Sequence, residues 1–283
     1  KNIKLRTMKK ILVPVDFSEC SEYALRVASD LARNYNAEII ALHMMGMNDN
    51  VLTNSQTKEM LEGIYYIKLA KKRFEEFLDK DFLKGITVTD SVYNYTEFNE
   101  LNQVAKEKNA DLIVMGSHGS SGLTEVFVGS NTEKVVRYSE VPVLVIKNKH
   151  DSFKIKNAVF ACDFSLENVD VFNKAMKFYE ILNSKVTLLY INVPGQNYRN
   201  TKEMESLVKE FLQKANATHF LNDVAYYNDY TVEDGIFNFS LNNEIDTIAL
   251  PTHGRRGLAH FFSGSISEDL VNHSDIPVIT FKI

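Results

Sequence analysis

Two rhythms of apolar residues alternate along the first half of the chain. Short runs with β-branched residues, "KILVPV" (10–15), "AEIIALHM" (37–44), "GITVTDSVY" (85–93), "DLIVMG" (111–116) and "VPVLVIK" (141–147), predict strands. Between them the spacing is helical. Ala24, Leu25, Ala28, Leu31 and Ala32 share one face, and Ser18 stands where it caps that helix. A longer amphipathic helix carries Leu61, Ile64, Tyr65, Phe74 and Phe77, and "YTEFNELNQVAKEKN" and "TEKVVRYS" read as two more. Strands alternating with helices predict an α/β fold, with a mainly parallel sheet covered on both faces.

The same pattern then runs again. "KKILVPVDFSECSEYAL" aligns with "KNAVFACDFSLENVDVF", so that Asp16, Phe17 and Ser18 fall on Asp163, Phe164 and Ser165 at an offset of 147. Further on, Gly119, Gly122, Gly129, Ser130, Glu133 and Pro142 fall on Gly254, Gly257, Gly264, Ser265, Glu268 and Pro277 at an offset of 135. The second copy is therefore 12 residues shorter in its middle. Two copies are too few for a solenoid, so the expectation is two tandem domains, 8–149 and 153–283, joined across the polar stretch 147–156. Met8 opens the first strand pattern, and residues 1–7 are expected to precede the domain proper.

Totals narrow the function classes. A formal net charge of −5 over 283 residues gives no broad electrostatic grip on nucleic acid. No apolar run approaches the ~20 residues that cross a bilayer, and no leader-type segment opens the chain. The two cysteines, Cys20 and Cys162, have no disulfide or metal-ligand spacing, which fits a reducing compartment and a cytoplasmic expectation. Cys162 reads as a buried strand residue rather than a reactive thiol.

The candidate chemistry lies after the fourth strand, in "GSHGSSGLTEVFVGSN" (116–131). Glycine lets a backbone approach an anion closely, and a helix N-terminus presents free N–H groups and partial positive charge. Ser130 with Glu133 three residues on has the spacing of a capping box, repeated by Ser265 and Glu268. The plainer reading, turn glycines and a capping serine, stays open at this level. Neither familiar phosphate loop is present: there is no G-x-x-x-x-G-K-[ST], and no G-x-G-x-x-G after the first strand.

What stands here is G-x2-G-x9-G-S, formed by Gly116, Gly119, Gly129 and Ser130, and it resembles the nucleotide-binding signature of the universal stress protein family. "ILVPVDFS", "ALHM", "VMGSHG", "GSNTEKV" and "VPVLVIK" extend the resemblance, and with the second copy it covers nearly the whole chain. The resemblance implies two Rossmann-like domains of the adenine nucleotide α-hydrolase type, each a five-stranded parallel sheet in order 3-2-1-4-5. It implies ATP, with AMP or ADP as alternatives, across the carboxyl ends of the first and fourth strands. Any Mg2+ or Mn2+ would be held through the nucleotide and water. Carried over residue by residue, Asp16 meets the adenine or ribose side and Met44 the adenine through its backbone. Met115, Gly116, His118 and Gly119 line ribose and phosphates, and Gly129, Ser130 and Asn131 hold the phosphates. Asp16 as a turn cap and His118 as loop support remain alternatives, and His43 reads as a core histidine.

The second copy departs from that pattern. Pro251 answers Gly116, and Arg255 and Arg256 answer Ser120 and Ser121. Proline removes an N–H and fixes φ. Its candidates are Asp163, Ile191, Gly254, Arg255, Gly264 and Ser265, and the expectation is a full ATP site in the first domain and a degenerate one in the second. No general base is evident, so the expected activity is binding, with slow ATP hydrolysis at most. The alternatives are an interaction protein that binds no nucleotide and an adenylylating enzyme, the latter lacking its pyrophosphate loop. The resemblance also implies pairing through the last strands, "VPVLVIK" and "IPVITFK", within one chain or between two chains.

Overall fold

The computed structural model describes residues 7–46, 56–95, 100–117, 130–195, 198–252 and 276–283. The chain divides into two compact units, one centred on residues 8–153 and the other on residues 154–283. In the first, β1 (Lys10–Pro14), β2 (Glu38–Gly46), β3 (Val88–Tyr95), β4 (Leu112–Gly116) and β5 (Val143–Ile146) run in the order β3-β2-β1-β4-β5. The strands between which registers are defined pair parallel. The described α-helices of this unit are α1 (Glu19–Tyr35), α2 (Gln56–Leu78), α3 (Leu101–Glu107) and α4 (Ser130–Tyr138). The second unit repeats the plan with β6 (Asn157–Ala161), β7 (Lys185–Asn192), β8 (Val224–Asn228), β9 (Thr247–Thr252) and β10 (Val278–Lys282), in the equivalent order β8-β7-β6-β9-β10. Its described helices are α5 (Val169–Leu182), α6 (Thr201–Lys214) and α7 (Val232–Asn242).

Local chemistry sets these elements. Ser18 caps α1 with its side chain accepting from the Ser21 N–H, and Ala24, Leu25, Ala28, Leu31 and Ala32 are buried as the spacing predicts. Asn36, in the left-handed region at φ 54°, ends the helix, and Asn183 does the same for α5. An aspartate at the start of each fourth strand ties down the first: Asp111 Oδ2 accepts from the Lys9 and Lys10 amides, and Asp246 Oδ2 from those of Lys156 and Asn157. The shortening of the second copy falls largely on one helix, 23 residues in α2 against 14 in α6.

One expected face differs. On α2, Phe74 and Phe77 are buried, together with Ala70, whereas Ile64 and Tyr65 are exposed. At about 100° per residue, Ala70, Phe74 and Phe77 form one stripe and Tyr65 lies on the opposite side. Tyr66 and Ile67, near the side of that stripe, are exposed as well, so the buried apolar contacts of the helix begin at Ala70.

In the second unit the Tyr179 hydroxyl is buried without a hydrogen-bond partner among the described residues, and burial pushes its pKa up. Tyr179→Phe removes that group at constant shape. It should stabilise the chain by about 1 kcal/mol, read as a raised denaturant midpoint at unchanged slope.

Candidate functional site

β2 extends past β1. The β1–β2 register ends at Pro14 opposite Leu42, and the Val15 N–H donates to the Leu42 carbonyl at 2.8 Å. β2 continues to Gly46, paired on its other side with β3. Main-chain groups of successive strand residues point to opposite neighbours. The Ile39 N–H bonds the Thr87 carbonyl beside β3, so odd positions face β3 and even ones face β1. Met44 thus turns its N–H and C=O to the side that β1 has vacated.

At the end of β1 the chain turns through Asp16, Phe17 and Ser18. Asp16 Oδ1 accepts from the Ser18 N–H at 3.0 Å and from the Ser18 hydroxyl. Phe17 has φ 65°, a conformation in which a bulky L-residue is strained. Its ring is held by Phe74 at 5.1 Å, Phe77 at 5.6 Å and His43 at 4.7 Å, with the Arg73 guanidinium 4.4 Å over it. The second copy keeps the strain, with Phe164 at φ 55° and Asp163 Oδ1 accepting from the Ser165 N–H and the Asn168 side-chain amide. His43 Nδ1 donates to the Val15 carbonyl at 2.7 Å, which locks the end of β2 to the turn and fits the core reading of that histidine.

Gly116 ends β4 against α1. A Cβ there would lie 2.8 Å from the Cys20 carbonyl oxygen and 2.9 Å from the Cys20 Cβ, so only glycine lets the helix start so close to the strand. The Gly116 carbonyl accepts from the buried Thr132 hydroxyl at 2.9 Å, which pins the first turn of α4 to the end of β4. α4 takes in Ser130 as its first residue. Asn131 is exposed on the same turn. Met115 is buried, and its main chain faces β5, since the flanking Ile113 and Ser117 N–H groups bond the Pro142 and Ile146 carbonyls.

Parallel order therefore sets Asp16, Met44, Gly116 and the start of α4 along one edge of the sheet, at the carboxyl ends of β1, β2 and β4. His118, Gly119 and Gly129 lie outside the described residues, as do Gly254, Arg255, Gly264 and Ser265 of the second copy. Phe17 and Thr132 were not anticipated as site residues. The repeat of "DFS" was the available signal for Phe17. None existed for Thr132, whose role depends on a carbonyl 16 residues earlier. Among the described residues no His, Cys, Asp or Glu group of metal-site size occurs, and no helix is long and apolar enough to cross a membrane.

The second copy is built differently at both ends of this edge. Where α1 begins at Glu19, the equivalent Leu166 begins a three-residue 3-10 turn, and α5 starts only at Val169. Pro251 stands in β9 at the place of Gly116. At the end of β7, Tyr190 and Asn192 stand where β2 has His43 and Met45. Asn192 grips the following loop, accepting from the Arg199 N–H and donating to the Arg199 carbonyl, both at 3.1 Å, and Arg199 Nη1 donates to the Tyr190 hydroxyl at 2.8 Å. Ile191, at the position of Met44, packs against Gly235 so closely that a Cβ there would come within 2.7 Å of Ile191 Cγ2. Cys162 stands just past the end of β6 and is half-buried rather than a buried strand residue; desolvation pushes its thiol pKa up, helped by the Asp163 charge, so few thiolates form near neutrality. Maleimide should leave Cys162 unlabelled at pH 8 in the folded chain and label it on unfolding, as peptide mass mapping would read.

A sheet in order 3-2-1-4-5, built twice in one chain with a glycine ending the fourth strand of the first copy against a helix start, defines a tandem α/β protein. The model of the universal stress protein family matches residues 7–147 and again 154–282, and the chain belongs to that family. It is 32% identical over 148 residues to the universal stress protein MJ0531 of Methanocaldococcus jannaschii, spanning 49% of this chain and 82% of that one. It is 35% identical over 151 residues to the universal stress protein YxiE of Bacillus subtilis, spanning 49% and 98%. The crystal structure of a universal stress protein from Archaeoglobus fulgidus superposes with a TM-score of 0.61 over 98% of this chain and 97% of that one. At 20% identity it supports the fold.

Proposed function

We propose that this chain is an adenine-nucleotide-binding member of its family, with one principal site in the first domain, at 8–149, and that ATP is its ligand. The observation that carries the reading is the vacated edge beside β1. Met44 offers an N–H and a C=O there, which is the pairing an adenine edge needs, and the start of α4, fixed to Gly116 by Thr132, lies along the same edge. Asn131 and the Ser130 amide supply donors for the phosphates. The strained Asp16–Ser18 turn closes the ribose side. Nothing among these residues is a general base, so the role is binding and signalling in the stress response, with hydrolysis slow at most.

In the second domain, at 153–283, the base end is taken up by the chain itself. Arg199 and Asn192 hold the loop after β7, and Ile191 is packed on Gly235. Calorimetric titration of the whole chain with ATP should therefore give a stoichiometry of one nucleotide per chain. A stoichiometry near two would defeat the assignment of the second copy, and the absence of heat at millimolar ATP would defeat the reading as a whole.

A further inference from the structure

Gly116 is the last residue of β4, and the direction of its carbonyl follows from the ladder beside it. Successive strand residues turn their main-chain groups to opposite neighbours. The Ser117 N–H bonds the Ile146 carbonyl, and Gly116 stands opposite Ile146 in the β4–β5 register. The Gly116 carbonyl therefore faces the other way, towards β1. The β1–β4 register covers Leu112 and Ile113, so at Gly116 the carbonyl stands past it, in the crevice where the strand order reverses between β1 and β4. A carbonyl oxygen there turns partial negative charge towards any anion in that crevice.

Thr132 answers that carbonyl. Its buried hydroxyl donates to it at 2.9 Å. A threonine in a helix often bonds back to a carbonyl of its own preceding turn. This one instead reaches a strand 16 residues earlier. The bond engages the carbonyl with a proton. It also sets the first turn of α4, with its free N–H groups and partial positive charge, against the end of β4. Both effects favour an anion in the crevice. Both are lost with the hydroxyl, because a methyl group in its place gives the carbonyl no donor. The second copy writes a hydroxyl at the same offset of 135, with Ser267 for Thr132 where Pro251 stands for Gly116.

We propose that Thr132 is a positioning residue for the phosphate end of the nucleotide site. It acts through Gly116 and α4 rather than by touching the nucleotide: it engages the carbonyl that faces the crevice, and it holds the start of α4 where phosphates meet its amides. The proposal rests on the adenine-nucleotide reading above. It confines the role of Thr132 to one end of the site. The base end, at Met44, is held by separate bonds, from the Val15 N–H to the Leu42 carbonyl and from His43 to the Val15 carbonyl. A ligand without phosphates should therefore not register the loss of the hydroxyl.

Calorimetric titration of the full chain with ATP and with adenosine, for the wild type, Thr132→Val and Thr132→Ser, tests it. Valine keeps the shape without the hydroxyl, and serine keeps the hydroxyl. Thr132→Val should lower ATP affinity about tenfold (about 1.4 kcal/mol) and leave adenosine affinity within about twofold. Thr132→Ser should hold ATP affinity within about threefold of the wild type. Unchanged ATP affinity in Thr132→Val overturns the proposal. So does a parallel fall for both ligands, complete loss through unfolding included, which would make Thr132 a residue of the fold alone. So does a Thr132→Ser chain as weak as Thr132→Val. A wild type that binds ATP and not adenosine overturns it too, because the two ends would then not act separately. A wild type that binds neither ligand defeats the adenine-nucleotide reading itself, and this proposal with it.

Discussion

Replacing Gly116 with valine is expected to destabilise the first domain by about 2–4 kcal/mol, the larger part from overpacking and strain between β4 and α1. The added Cβ alone would stand 2.8–2.9 Å from three Cys20 atoms, two of them backbone, which cannot swing aside as the end of a flexible side chain can. To make room, α1 must lift from β4 or lose its first turn. The second route is the one the second copy displays, where Pro251 goes with a 3-10 turn at 166–168 in place of helix. Losing the first turn would also displace Ser18, whose side chain caps α1 and bonds Asp16. The measurement is chemical denaturation of the first-domain transition, with alanine at the same position as a milder case. A valine variant within 0.5 kcal/mol of wild type, a threshold of about the size of ordinary surface substitutions, would show that the approach of α1 to β4 is loose.

The second large effect concerns ligand rather than fold. Met44→Pro should lower ATP affinity by about tenfold to a hundredfold, 1.4–2.8 kcal/mol, while the domain remains folded. The reasoning rests on where the Met44 N–H points. Proline inside a sheet is costly because it deletes a ladder bond. At Met44 the amide faces the side on which β1 has ended at Pro14, so no ladder bond to β1 is there to delete. The lost donor is then charged to the ligand. His43→Pro, one residue earlier, provides the contrast: that amide belongs to the β3 side, and the substitution should unfold the edge of the sheet. Equal ATP affinity in a folded Met44→Pro chain would place the adenine elsewhere.

Much of this was legible in one dimension. Strand and helix order, the repeat and its 12-residue shortening follow from periodicity and from matching text such as "DFS". Periodicity reports local geometry, because a strand or helix shows its buried side at a fixed interval whatever it packs against. The candidate site was legible in outline for the same reason: glycines and a serine between an apolar run and a helix mark a strand end. The functions of individual residues there were less so. Gly116 and Met115 read as lining ribose and phosphates; the close approach of Gly116 to α1 and the burial of Met115 were not legible in the sequence. Asp16 reads as a ligand contact or a turn cap, and the structure shows its carboxylate engaged in the turn.

By itself, then, the sequence determined the class of fold, the duplication, and the divergence of the second copy at Pro251. Only the tertiary structure decided that Thr132 anchors α4 to Gly116, that Phe17 is held in a strained conformation by Phe74 and Phe77, and that Tyr65 lies outward on α2. The physical reason is one of range. Hydrophobic rhythm is written residue by residue, but which carbonyl a hydroxyl meets, or which face of a long helix the sheet covers, depends on contacts between segments tens of residues apart, and those exist only once the chain has packed.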